Sequence, residues 1–335
     1  MSNSFSYHVT KYFAEYLPLH LGVAENTRKS YRDTFVQMLE YFEQERKIPP
    51  GKIALGTLGA DAIEGFLLYL ETANGVGVST RNQRLAAIHS FVKYLMKKEP
   101  SCFEQCADIL SLPFKKCPPP VMAWLSVREM EILFSIPDAN SKKGIRDLAV
   151  LTVLYETGSR VQELIDLTVA HLHLDSSCPS VDLRGKGNKL RHVPVREDVA
   201  DILSKYLRVF NIVENEAVVF TNNRGQKLTR AGVQYIMDKY INAAKLKHPD
   251  LFRQKYSNHS CRHSKSMHLL EAGVDLIYIR DFLGHSSVVT TERYAKTNPD
   301  IKRKIITENS LTEIVAVKYD DEKRDDLLNW LKMNL

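Results

Sequence analysis

Six residues of this chain are of types that handle phosphate oxygens and protons, and most of them stand where regular structure should break. Arg160 follows Gly158 by two positions in "ETGSRVQEL", with Glu163 three residues further on. Lys186 lies in the glycine-flanked "RGKGNK", His259 and Arg262 in "HSCRH", His285 directly after Gly284 in "DFLGHSS", and Tyr294 in "TTERYAK". Each has an ordinary reading when taken singly. Arg160 would pair with Glu163, Lys186 would solubilise a turn, His285 would cap helix carbonyls, and Tyr294 would be half-buried packing. Taken together they make a cationic, proton-donating set with no acidic cluster beside it to cage a metal. Such a set suits charge stabilisation of a pentavalent phosphorus by arginine forks, with the tyrosine hydroxyl free to act as a nucleophile.

The elements that must position these residues are mostly helical. "TRKSYRDTFVQMLEYFEQER" repeats Tyr31, Phe35, Met38, Leu39 and Phe42 at helical spacing, and "DAIEGFLLYLETA" is a second such run. "STRNQRLAAIHSFVKYLMKK" is a third, with Ser79 or Thr80 as its expected N-cap. It carries Arg81, Arg84, Lys93, Lys97 and Lys98 and no acid, although charges balance over residues 1–112. That helix is either a solvated flank beside a core stripe or a face for a polyanion. The proline run in "LPFKKCPPPVMAWLS" forbids helix and marks residues 113–126 as a linker. Beyond it, "SVREMEILFSI" reads as a capped helix, and "IRDLAVLTVLYETG" as a buried one that ends at Gly158. "PSVDLRGKGNKLRHVPV" reads as a β-hairpin turning at 185–188, and "AVVFTNNRGQKLT" as a short strand and turn. Residues from Arg230 to about Thr307 read as mostly helical. The fold class is therefore mainly α with a small antiparallel β-sheet (α+β). The expected divisions are a helical domain at 1–112, the linker, a second domain at 127–310 and an amphipathic tail at 311–335.

Bulk properties narrow the field. A formal charge of +6 leans toward a polyanionic partner without requiring one. No run of 18 apolar residues exists and no secretory signal opens the chain, so no membrane partner is expected and a cytoplasmic location is. The five cysteines form no C-x-x-C pair, which fits a reducing compartment and argues against a zinc or disulfide framework.

The ordered set of motifs resembles the phage integrase family of tyrosine recombinases. It comprises T-G-x-R-x-x-E-L at Thr157–Leu164, G-K-G-x-K at Gly185–Lys189, H-x-x-R at His259–Arg262, and L-G-H followed by T-T-x-x-Y at Leu283–Tyr294. "TRKSYRDTF" and "STRNQRLAAIHSFVKYL" resemble the family's helical core-binding domain, and the likeness spans about residues 8–300. Two features depart from the pattern: Ala-Lys follows Tyr294 where relatives often have Thr-His, and the tail is long.

The resemblance implies roles for each matched residue. Arg160 and Arg262 would clamp the scissile phosphate and Tyr294 would form a 3′-phosphotyrosyl bond. Lys186 would protonate the leaving 5′-oxygen, His259 would assist proton transfer, His285 would donate to a phosphate oxygen, and Glu163 would orient Arg160. Arg81, Arg84, Lys93 and Lys97 are expected to contact DNA. The implied enzyme is a site-specific recombinase acting as a homotetramer on double-stranded DNA with paired half-sites. It would need no metal, ATP or other cofactor, and no extra arm-binding module is expected before residue 8. The task would be integration or transposition of a mobile element, or resolution of chromosome dimers. Rival expectations are a type IB topoisomerase-like relaxing enzyme and a DNA-binding regulator without catalysis. The tail, with Leu327, Leu328, Trp330 and Leu331 on one face, is expected to dock on a neighbouring protomer.

Overall fold

The computed structural model describes residues 4–118, 122–185 and 188–284, with Asn329, Lys332 and Met333 near the C-terminus. These residues are mainly helical with one three-stranded antiparallel sheet, the expected class. The chain divides into two compact units, Met1–Pro120 and Val121–Leu335. None of the helices among the described residues is long and apolar enough to cross a membrane.

The first unit is built from α1 (Phe5–Lys11), α2 (Glu25–Gln44), α3 (Ala60–Thr72), α4 (Val78–Lys98) and α5 (Phe103–Ser111), with a π-helical turn at Tyr12–His20. Its core is aromatic. The rings of Tyr12 and Phe35 lie 5.2 and 5.1 Å from that of Phe91, at near-perpendicular angles of 81° and 78°. Tyr12 is fully buried, and its hydroxyl donates to Ser90 Oγ at 2.7 Å, which satisfies the one polar atom that the ring carries inward.

Helix α4 starts earlier than expected. Its N-cap is Gly77, in extended conformation, and the Gly77 carbonyl accepts from the Arg81 N–H. Glycine caps nearly as well as threonine, so Ser79 and Thr80 are absorbed into the first turn.

In the second unit α6 (Val127–Ser135) opens on a capping box: the Ser126 hydroxyl accepts from the Glu129 N–H, and Glu129 Oε2 accepts from the Ser126 N–H at 2.7 Å. Next, α7 (Lys142–Glu156) is apolar on most faces. Ala149, Val150, Leu151, Val153 and Leu154 are all fully buried, and the helix packs against both α9 (Glu197–Phe210) and α11 (Ser260–Glu271). Beyond its C-cap, Thr157, the chain turns at Gly158, where φ is +54°. A Cβ there would lie 2.9 Å from Leu283 Cδ2 and 3.1 Å from Phe282 Cε1, so both conformation and space demand glycine.

The short α8 (Val161–Ile165) follows, then β1 (Leu172–His173), β2 (Ser180–Arg184) and β3 (Leu190–Pro194), in sheet order β1-β2-β3. The β2–β3 register runs from Ser180 opposite Pro194 to Arg184 opposite Leu190. The Gly185 N–H closes the ladder on the Lys189 carbonyl at 2.8 Å, and Asn188 takes a left-handed φ of +61°. The pleat sends Val181, Leu183 and Val193 into the core and Asp182 and His192 outward.

The segment "AVVFTNNRGQKLT" forms no ladder strand. Its pairings are the single bridges Thr168–Val218 and Thr221–Lys227, because the turn around Asn222–Gln226 folds the segment back on itself at once. Among the described residues the other long helices are α10 (Arg230–Lys247) and α12 (Leu276–Leu283), the latter capped by Gly284 with φ +62°.

Candidate active site

Arg160 stands at the N-cap of α8 in extended conformation, φ −72° and ψ +148°, which swings its side chain off the end of the helix. Glu163, one turn on, grips it twice. Glu163 Oε2 accepts from the Arg160 backbone N–H at 2.8 Å, and Oε1 accepts from Nη1 at 2.7 Å. The carboxylate is almost fully buried, while the Arg160 side chain keeps 33% of its surface exposed. A half-open guanidinium is thus held from behind by a buried charge.

A second guanidinium meets the same carboxylate. Arg191, on the inward face of β3, donates from Nη2 to Glu163 Oε2 at 2.8 Å and from Nη1 to Oε1 at 3.2 Å. Burial alone would raise the Glu163 pKa. The Arg191 charge, then the Arg160 N–H and guanidinium, overcome that and hold it below the usual 4.5. Burial lowers the Arg191 pKa, opposed by Glu163 and aided by Arg160, yet a guanidinium remains protonated throughout the physiological range.

Arg262 is buried at the start of α11. Its Nη1 donates to the Gly158 carbonyl at 2.6 Å and its Nη2 to the Leu283 carbonyl at 2.5 Å. Arg191 Nη1 shares the Leu283 carbonyl at 3.1 Å, and Arg160 Nη2 reaches the Gly284 carbonyl at 3.4 Å. Three arginines therefore converge on the last carbonyls of α12 and on the break after α7. Those carbonyls carry the negative end of a helix dipole, which favours cations there.

His259 occupies the N-cap of α11 and stays exposed. Crowding by protein atoms lowers its pKa below the usual 6.5, and the positive Arg262, Arg160 and Arg230 lower it further. A neutral imidazole beside two guanidiniums can accept a proton as well as donate a hydrogen bond. His263, one turn along, is pushed down to about 4 by burial and by His259 and Arg262.

The structure thus brings Arg160, Glu163, Arg262 and His259 together. Lys186, His285 and Tyr294 lie outside the described residues, but the residues directly before two of them border the network. A Cβ on Gly185 would sit 3.2 Å from Glu163 Oε1 and 3.8 Å from Arg160 Nη1, and Gly284 supplies the carbonyl that Arg160 approaches. Sequence reasoning missed Arg191 and Arg230. Arg191 did leave a signal, because it shares the parity of buried Val193 and so takes an inward strand position, opposite buried Leu183. Arg230, first in α10, donates from Nε to Gln162 Oε1 at 2.9 Å and is exposed.

The four basic residues of α4 expected to contact DNA divide into two pairs. Arg81 is buried and spends Nη1 on the Pro113 carbonyl and Asn82 Oδ1, and Arg84 donates to the Ser30 carbonyl and Thr34 Oγ1. These two turn inward because their face of α4 meets α2 and the chain after α5. Lys93 and Lys97 are exposed.

Two family models match the chain. The phage integrase family covers residues 123–300, and the phage integrase N-terminal SAM-like domain covers residues 10–99. A Sinorhizobium fredii protein bearing an integrase/recombinase name is 32% identical over 299 residues, covering 89% of this chain and 90% of that one. The tyrosine recombinase XerC of Myxococcus xanthus is 32% identical over 291 residues, covering 85% and 91%. Among solved structures, the XerH site-specific recombinase bound to a palindromic difH substrate superposes with a TM-score of 0.68 at 22% identity. That match covers 86% of this chain and 81% of the XerH chain, and it shows a shared fold.

Proposed function

Because this chain belongs to the phage integrase family, we propose that the arginine network around Glu163 is the phosphate clamp of a DNA strand-exchange reaction. The protein is a tyrosine site-specific recombinase of the kind that serves integration or dimer resolution. DNA is its substrate. Arg160 and Arg262 bind the non-bridging oxygens of the scissile phosphate, and Glu163 with Arg191 fixes the angle at which Arg160 presents its fork. The Tyr294 hydroxyl attacks phosphorus, the bond to the 5′-oxygen breaks, and a 3′-phosphotyrosyl link conserves the bond energy. His259 takes up the tyrosine proton, Lys186 gives one to the leaving oxygen, and His285 donates to a phosphate oxygen. Charge is stabilised by the guanidiniums, so neither metal nor ATP is assigned a step. Lys93 and Lys97 contact the DNA backbone, and four protomers on paired half-sites exchange strands through a Holliday junction.

The observation that carries this reading is the convergence of Arg160 and Arg262 on one helix end, rimmed by Gly185 and Gly284, the residues directly preceding Lys186 and His285. Tyr294→Phe tests it. On a nicked half-site substrate the variant should bind with near-normal affinity and form no covalent protein–DNA adduct. An adduct that persists and maps to another tyrosine would refute the assignment. A wild-type chain that binds DNA without ever forming an adduct would make it a regulator rather than an enzyme.

A further inference from the structure

The outward face of the sheet gathers three side chains that the reaction above does not use. His173 of β1 pairs with Ser180, two residues before Asp182 on the same face of β2, and Asp182 pairs directly with His192 of β3. Three strands thus place an imidazole, a carboxylate and an imidazole side by side. His173 Nε2 lies 3.0 Å from Asp182 Oδ2, and His192 Nδ1 lies 2.8 Å from Asp182 Oδ1. One donor atom from each residue falls within 4.8 Å of the others. The imidazole centroids are 5.9 Å apart, with the rings inclined by 38°.

Zinc bonds of roughly 2.0–2.1 Å to nitrogen and oxygen in a tetrahedron set neighbouring ligand atoms roughly 3.3 Å apart. The two His–Asp spacings are already close to that value. Each spacing is to a different oxygen of the carboxylate, so one ring must move toward the shared oxygen as the imidazole-to-imidazole gap closes, and both rings are exposed. Two nitrogens and one carboxylate oxygen suit zinc and its late first-row neighbours, whereas calcium and magnesium favour an all-oxygen shell. Each neutral ring would move its proton to its other nitrogen and present a lone pair to the ion.

We propose that His173, Asp182 and His192 form a binding site for one divalent ion of the zinc class, completed by water, which clamps the three strands together from their solvent side. The ion is structural and takes no part in the phosphoryl chemistry. It ties β1 to the β2–β3 hairpin.

The test uses the full-length chain, stripped with a chelator and freed of it by dialysis. Zinc chloride is titrated by calorimetry and thermal melting, and cobalt chloride by visible absorption. One equivalent should bind, the melting temperature should rise, and cobalt should develop ligand-field bands. His173→Gln and His192→Gln should each weaken binding at least about tenfold. Both residues are exposed, so the variants should melt near the parent in chelator. Cys117→Ser and Cys178→Ser, which remove the two exposed thiols, should leave binding unchanged. Absence of saturable binding would overturn the site, as would binding that survives both histidine variants or is lost with a thiol. If the trio is only hydrogen-bonded, the histidine variants lower stability in chelator and zinc has no effect, which overturns the proposal equally.

Discussion

Two buried carboxylates in the second unit are surrounded by much the same chemistry and put it to different ends. Asp147 accepts from Arg146 Nε and Nη2 at 3.0 and 2.7 Å and from the Tyr240 hydroxyl at 2.9 Å, with Lys239 Nζ at 3.2 Å. Glu163 accepts from Arg160 and Arg191. The difference lies in where the arginine goes next. The Arg146 side chain is 7% exposed and turns its remaining edge to Asn223 Oδ1 at 2.8 Å, whereas that of Arg160 is 33% exposed. Lys239 is also partly exposed, but its ammonium lies 4.2 Å from the centre of the Tyr240 ring and offers a point charge rather than a fork. A buried carboxylate with its arginine closed in is a device of the fold. The same pair with one edge left open is a device for a ligand.

The largest effect should come from the closed pair. Asp147→Ala leaves Arg146 buried without its counter-charge and should destabilise the protein by about 3–5 kcal/mol in urea melts. A loss below about 1 kcal/mol would erase the distinction between the two networks. Arg160→Ala should do the reverse. Cleavage should slow by roughly 10²–10³-fold, since losing one donor to a developing oxyanion costs about 2.7–4 kcal/mol. Stability should change little, and DNA binding far less than the rate, because many phosphate contacts share that load. Equal losses in binding and rate would make Arg160 an ordinary backbone contact.

How far the sequence foretold this arrangement depends on how local each interaction is. Arg160 and Glu163 were legible because a glycine break and an i,i+3 pair lie within six residues. The β2–β3 hairpin was legible from alternation and from Gly185–Asn188. The inward face of Arg191 follows from the same alternation, but its partner does not, because that partner lies 28 residues away and an arginine in a strand gives no sign of what it faces. The inward turn of Arg81 and Arg84 was hidden for a related reason. The charge pattern of α4 names its basic residues but not the neighbour, here the Pro113 carbonyl, that claims one of them. The trio on the outer sheet face was equally hidden, since no local spacing connects His173, Asp182 and His192.

The smallest effect concerns His263, one turn from His259 on α11. Its pKa falls from the ordinary 6.5 to about 4, so the folded state resists a proton that the unfolded chain accepts. Its contribution to stability is complete above pH 6.5 and declines as pH falls from 6.5 toward 4. The slope of unfolding free energy against pH in that window should be shallower in His263→Gln and unchanged above it. His259 shifts in the same direction, so part of the slope will remain. An identical slope in the variant would show that the burial of His263 does not constrain its charge.

The pleat of β3 places Arg191 and His192 on opposite faces of one thin sheet, the first against Glu163 and the second beside Asp182. Evolution of this hairpin is therefore constrained by parity as well as by composition. A single residue added to or lost from the ladder of β3 exchanges the two faces, sending the arginine to solvent and the histidine toward the clamp. A change of two residues keeps the faces and shifts only the reach of the tip. Drift in this part of the chain can vary the exposed positions that bear on neither face's network, yet a change in strand length keeps both networks only in even steps.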